Sequence, residues 1–303
     1  EMARDHRALV ETALRIKRAG NDLMTVVGGR SVHPVNVRVG GFDRLPRREE
    51  LLALRPALVA AREESLAAMP IVSGFEFPDF DQPYLYLALD SQNGYPLESG
   101  ALITSAGLRA PVAEFGNHVV ESHVAHSNAL HASFDGQPYV VGPLARYSLN
   151  YPALAPLARE AAESVGLGPT CRNPFKSIIV RTVELIHALD EAIAIIDAWH
   201  GAPVAAVEVP ARAGEGHGAT EAPRGLLYHR YRFDESGTIL EAEIVPPTAQ
   251  NQPAIEADLR AFVQDHLDLS LEELTHQCEV TIRTYDPCIS CATHFLDLTV
   301  EHI

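Results

Sequence analysis

The 303-residue chain contains no uninterrupted apolar run of the roughly 18 residues that a membrane-spanning helix requires. Its longest apolar stretches are broken by Lys176, Arg181, Glu184, Asp190 and Glu191, so no membrane span is expected. Basic residues are few: 24 Lys and Arg stand against 40 Asp and Glu, a formal net charge of -16. Such a chain repels phosphate backbones, which argues against nucleic acid as a partner. Cysteine is scarce too, and four unevenly spaced copies make no disulfide framework. No glycine-rich dinucleotide fingerprint follows a strand-like run, so neither nicotinamide nor flavin is expected in this chain. The first residue is Glu1 and the text opens at once in amphipathic helical spacing without a cap, so the sequence is expected to begin inside a larger protein.

What remains is a globular composition, 47% hydrophobic, ample for a large core in one or two domains. Its chemistry concentrates in Asp286-Pro287-Cys288-Ile289-Ser290-Cys291-Ala292-Thr293-His294. Two cysteines three positions apart can put both thiolates on one soft metal, with a proline stiffening the approach and a histidine close behind. A haem attachment would need histidine directly after Cys291, where Ala292 and Thr293 intervene. Structural zinc would need further ligands, and Cys171 and Cys278 are isolated. A redox CxxC pair and two incidental thiols remain as alternatives.

Three further segments accompany this one: Gly28-Gly29-Arg30-Ser31-Val32-His33-Pro34-Val35-Asn36 with Gly40-Gly41, Gly218 to Gly225, and Pro246-Pro247-Thr248-Ala249-Gln250-Asn251. Together, in this order, they resemble the large subunit of nickel-iron hydrogenases, especially the cytoplasmic group coupled to NAD(P), over residues 1 to about 295. The resemblance implies a predominantly helical α+β fold, with a long-helix bundle core and small antiparallel sheets, forming one large-subunit domain over 1–303 that lacks its N-terminal part. It implies reversible cleavage of H2 at a nickel-iron centre whose iron carries CN and CO. Cys291 would bridge the two metals and Cys288 would bind nickel terminally and could take up the proton. Arg224 and Thr248 would donate hydrogen bonds to the iron's ligands beside Pro247, and His294 would ligate a magnesium ion. The other two nickel ligands, a second CxxC pair, would lie before Glu1, so this stretch alone is expected to be inactive. Implied partners are an iron-sulfur small subunit, flavin- and NAD(P)-binding subunits, metallochaperones and a maturation protease, since family members are commonly cut after the histidine equivalent to His294. The residues after it suggest an unprocessed form. Two rival readings stand beside this one: a non-catalytic relative of the quinone-oxidoreductase type, and a zinc-stabilised binding module using Cys278, Cys288, Cys291 and His294.

Along the chain, Leu9, Ala13, Ile16, Ala19 and Leu23 predict a helix over Ala3 to Val27 that ends at Gly28-Gly29. Residues 47–68 predict a surface helix, and Tyr84 to Leu89 with Ala101 to Thr104 predict two strands. His118, His123, His126 and His131 read as a solvated helix face; a secondary metal site using His123, His126 and Glu121 is the less favoured reading. Residues 173–199 predict a central helix with an apolar stripe from Ile178 to Ile196. Leu226 to Phe233 and Thr238 to Val245 predict a hairpin turning at Asp234 to Gly237, which would bring Arg224 and Thr248 together. Residues 253–277 predict two helices with Leu259, Phe262, Leu267 and Leu271 inward, and Cys278 reads as a small buried hydrophobe.

Overall fold

The computed structural model describes residues 6–91, 94–287, 296 and 298–299. The backbone separates into two compact units, Glu1–Phe75 with Ala155–Gly166 and Arg181–Ala211, and Glu76–Leu154 with Leu167–Val180 and Arg212–Ile303.

The first unit is built on long helices. Helix α1 (Arg7–Gly28) ends where Gly29 turns left-handed, so the glycine pair terminates it as predicted. Asn36 then fastens the following loop, donating from Nδ2 to the Val27 and Arg44 carbonyls at 2.8 and 2.7 Å while Oδ1 accepts from Arg44 N. A two-strand ribbon, β1 (Val37–Arg38) and β2 (Gly41–Phe42), closes that loop. Helix α2 (Arg48–Ser73) packs along α1, longer than predicted because Pro56 and Pro70 are accommodated inside it. Leu51, Leu58 and Ala61 of α2 bury against Ala19 of α1 and against Leu189, Ile193 and Ile196. Arg62 to Asp190 (2.6 Å) and Arg55 to Asp197 (2.6 and 2.8 Å) fix the polar flank of that contact.

In the second unit, β3 (Leu87–Asp90), β4 (Ala101–Thr104) and β5 (Arg109–Ala110) make an antiparallel sheet, the first two strands where the alternation placed them. A short helix α3 (Phe115–His118) leads into the hairpin β6 (Val119–Ser122) and β7 (His131–Phe134). The histidine-rich stretch therefore runs through strand and loop; alternating Val119, Glu121 and Ala132, Phe134 pair across the hairpin in place of a helix face. Helix α4 (Pro143–Asn150) follows. Helix α5 (Pro156–Ser164) belongs to the first unit.

Helix α6 (Ser177–Ala198) is preceded by one 3-10 turn at Pro174–Lys176, which leaves it about 33 Å long. Ile179, Val183, Ile186, Leu189, Ile193 and Ile196 form its buried stripe, but Ile178 is exposed. The predicted hairpin is present as β9 (Gly225–Phe233) and β10 (Ile239–Val245), and β9 also pairs with β8 (Gly214–Ala222) to give the order β10-β9-β8. Helices α7 (Pro247–Asp265) and α8 (Leu271–Thr284) complete the unit. Phe262 is buried with Phe80 and Phe175, whereas Leu267 and Leu271 are exposed because they flank the linker between the helices.

Candidate metal centre

Arg224 sits on a two-residue turn. Ala222 of β8 pairs with Gly225 of β9, leaving Pro223 and Arg224 at the tip. The tip is held from below by Arg146 of α4, whose Nη1 donates to the Ala222 carbonyl (2.5 Å) and whose Nη2 donates to that of Pro223 (3.1 Å). The same Nη1 is 3.1 Å from Glu221 Oε2, an ion pair whose side chains are 5% and 0% exposed. Glu221 Oε1 in turn accepts from Leu89 N at 2.8 Å, tying the turn to β3. Buried charges persist when paired and hydrogen-bonded in this way.

Two glycines let backbone meet backbone beneath Arg224. Gly142 has φ 100°, and a Cβ there would lie 2.4 Å from the Arg224 carbonyl oxygen. Gly225 has φ 140°, and a Cβ there would lie 2.5 Å from Val141 Cγ2. Strained φ and overlap act together at Gly142, so Gly142→Ala is expected to cost about 2–5 kcal/mol by thermal or denaturant unfolding. An unchanged unfolding midpoint would show that the turn does not depend on this contact.

The Pro-Pro-Thr-Ala-Gln-Asn segment becomes the first turns of α7, with Pro246 as N-cap and Pro247 and Thr248 opening the helix. Gln250 Nε2 donates to the carbonyls of Leu226 (2.6 Å) and Val245 (3.2 Å), so the helix start is pinned over the first residues of β9 and the end of β10. Asn251 pairs with the Val141 backbone in both directions, accepting at 2.8 Å and donating at 3.2 Å. The result puts Thr248 and Arg224 at the same end of the sheet. The Thr248 hydroxyl makes no hydrogen bond to any described residue and caps nothing. Arg224 does not pair with Glu221, which Arg146 holds; its Nε donates to the Asp286 carbonyl and lies 3.2 Å from Asp286 Oδ2.

Asp286 is two positions before Cys288. Cys288, Cys291 and His294 themselves lie outside the described residues. Their approach is anchored by Tyr285, whose hydroxyl donates to Asp258 Oδ2 at 2.6 Å and lies 3.2 Å from Tyr84 OH, which also donates to that oxygen. Burial pushes the Asp258 carboxyl above its ordinary range, and the two tyrosine hydrogen bonds only partly offset this. Burial also raises both tyrosines. A carboxyl raised on folding favours the folded state at low pH. That advantage fades as pH climbs from the unfolded carboxyl value to the raised folded one. Asp258→Asn is therefore expected to flatten the fall in stability across this window, by up to about 1.4 kcal/mol for each pH unit that the window spans, as read from unfolding midpoints measured at successive pH values.

The buried thiols Cys171 and Cys278 are raised by burial, which favours the neutral form; Cys278 behaves as the small hydrophobe predicted. Among the histidines, His118 pairs with Asp135 at 3.2 Å, and His126 and His131 meet Glu256. Sequence reasoning missed Gly142, Arg146 and Asp258, and it quoted Gln250 and Asn251 within their motif without giving them a role. The available signals were the Gly142-Pro143 helix start with an arginine one turn on, and the two amides adjoining Thr248.

Arg224 thus presents a half-exposed guanidinium and Thr248 a hydroxyl with no partner among the described residues, both able to donate hydrogen bonds. The chain is 29% identical to Sulfhydrogenase 1 subunit alpha of Pyrococcus furiosus, over 98% of this chain and 70% of that one. It is 31% identical to Sulfhydrogenase 2 subunit alpha of the same organism, over 97% and 69%. With the NAD-reducing hydrogenase HoxS subunit beta of Cupriavidus necator it shares 28% identity over 95% and 66%. Its fold matches a crystal structure of an NAD+-reducing [NiFe]-hydrogenase in the H2-reduced state, with TM-score 0.83 and 21% identity over 97% of this chain and 70% of that one. The family described as Nickel-dependent hydrogenase matches residues 112–294, and the chain belongs to that family.

Proposed function

We propose that this chain is the catalytic large subunit of a cytoplasmic, NAD(P)-linked nickel-iron hydrogenase, its two units acting as one large-subunit domain. The observation that carries the reading is the convergence of Arg224, Thr248 and Asp286 immediately before the Cys288–Cys291 pair. A nickel-iron pair with CN and CO on iron would supply the soft, electron-rich acid that polarises H2. Cys291 and Cys288 would hold the metal pair through their thiolates, and Cys288 Sγ would be the group placed to accept a proton. Arg224 would donate charge-assisted hydrogen bonds and Thr248 Oγ1 a neutral one to the iron's ligands, with Pro247, which lacks an N–H, beside them. His294 would hold the magnesium ion. No helix among the described residues is long and apolar enough to cross a membrane.

Electrons leave through a partner. The first unit offers it an apolar patch: Val35, Val37 and Val39 are exposed, and Gly40 is bonded to Val207 beside the exposed Val209. His33, held at φ 49° with its carbonyl accepting from Arg30 Nε, lies in the same loop. Such a surface suits an iron-sulfur small subunit, from which flavin- and NAD(P)-binding subunits would draw electrons.

Metal analysis of the matured complex, with hydrogen-dependent reduction of an artificial electron acceptor, tests the reading. Nickel and iron in equal amounts with dye reduction is the expected result. Zinc alone would favour a zinc-stabilised module, and a metal-free mature complex a non-catalytic scaffold relative; either overturns the proposal.

A further inference from the structure

The β6–β7 hairpin and helix α7 bring together three side chains that hydrogen cleavage does not use. His126 lies in the hairpin loop, His131 opens β7, and Glu256 faces both from the third turn of α7. His126 Nε2 is 3.0 Å and His131 Nε2 3.2 Å from one carboxylate oxygen, Glu256 Oε1, and the three ligand atoms all lie within 4.8 Å of one another. In a tetrahedral zinc site with bonds of about 2.0–2.1 Å the ligand-to-ligand edge is about 3.3–3.4 Å, so these atoms already stand close to the spacing a metal imposes.

The loop is built to hold that spacing. Ser127 N bonds the Val124 carbonyl at 3.0 Å, and the Ser127 hydroxyl accepts from Ala129 N and donates to the Ala129 carbonyl. The two imidazoles stand edge to face, their centroids 5.7 Å apart. His131 is 8% exposed, and its Nε2, although within ion-pair range of Glu256, is off the line of a hydrogen bond and has no hydrogen-bond partner among the described residues. A buried ring nitrogen without a hydrogen-bond partner calls for one, and a bound ion would supply it. Gln252 adds only a long contact to Glu256 Oε1, 3.5 Å. Beside the cluster a cavity of about 350 Å³ opens, lined by His131, Glu256, Arg260 and Gln264 among others.

We propose that His126, His131 and Glu256 bind one borderline-soft divalent cation of the zinc class, its fourth position facing the cavity. Two imidazoles and a carboxylate with open space alongside are the donor set of a three-ligand zinc site. Arg260, one turn beyond Glu256, places positive charge at the cavity and so favours an anionic fourth ligand. Glu256 is eight residues past Thr248, about 12 Å along the helix axis, so this site is separate from the Arg224–Thr248 wall.

Zinc bound by the full chain is the measurement. After equilibration with zinc ions and removal of loose metal, wild type should retain one zinc per chain more than His126→Ala, with equal far-ultraviolet circular dichroism. His126 is exposed, so this variant tests ligation without disturbing the core. Glu256→Gln should lose the same equivalent, and X-ray absorption at the zinc edge should lose its two-imidazole signature in His126→Ala. Magnesium should not displace that equivalent. Equal zinc in wild type and His126→Ala, or displacement of the differing equivalent by magnesium, overturns the site.

Discussion

Replacing Arg146 with alanine is expected to cost the fold about 3–5 kcal/mol, read as a lower denaturant midpoint at unchanged slope. The substitution strands Glu221, whose side chain is fully buried, and removes a donor from the carbonyls of both Ala222 and Pro223. Bond length is not what sets this cost. The Arg55–Asp197 pair is shorter, at 2.6 and 2.8 Å, but both partners are more than a third exposed, so solvent screening leaves its loss with little effect on stability. The double replacement Arg146→Met with Glu221→Leu should recover part of the loss by removing the buried charges together. It cannot recover all of it, because the turn carbonyls stay unbonded. A single-variant cost near that of a surface pair would show that the turn is held by something else.

Replacing Cys291 with serine in the whole protein is expected to abolish hydrogen uptake and nickel retention together. Serine offers a harder oxygen that stays protonated at neutral pH, whereas a thiolate is polarisable and lowers the charge on a soft metal. Loss should exceed the roughly 10–100-fold that outer partners of a metal ligand contribute. Cys278→Ser and Cys171→Ser are the controls: both thiols are buried and raised by burial, so their replacement should alter stability and leave metal content unchanged. Normal uptake in Cys291→Ser, or equal metal loss in Cys278→Ser, would reject the assignment of ligands.

Local chemistry was legible in the sequence wherever one element decided its own structure. The end of α1 at Gly28-Gly29, the alternation of β3 and β4, and the Asp234 to Gly237 turn, where Asp234 Oδ1 accepts from Ser236 N and Thr238 N, all follow from side chains within a few residues. Strand β8 was not legible, because Gly214, Gly216 and Gly218 lower its propensity and only nine paired positions along β9 make it a strand. The histidine stretch misled for the converse reason: its spacing fits a helix, but cross-strand burial of Val119 against Phe134 wins. For the site, the motifs named the residues that would face a metal, Arg224 and Thr248, and were silent on those that position them. Arg146 is 75 residues from Glu221, and Asn251 is 110 from Val141, separations at which no local pattern carries information.

Those distant clamps are made by the chain alone. Arg146 grips Ala222 and Pro223, Asn251 grips Val141, and Gln250 grips Leu226, all with atoms that translation itself supplies. The wall therefore needs only the polypeptide to take its shape, and a metal pair of the proposed kind would meet Arg224 and Thr248 on a surface already braced from behind.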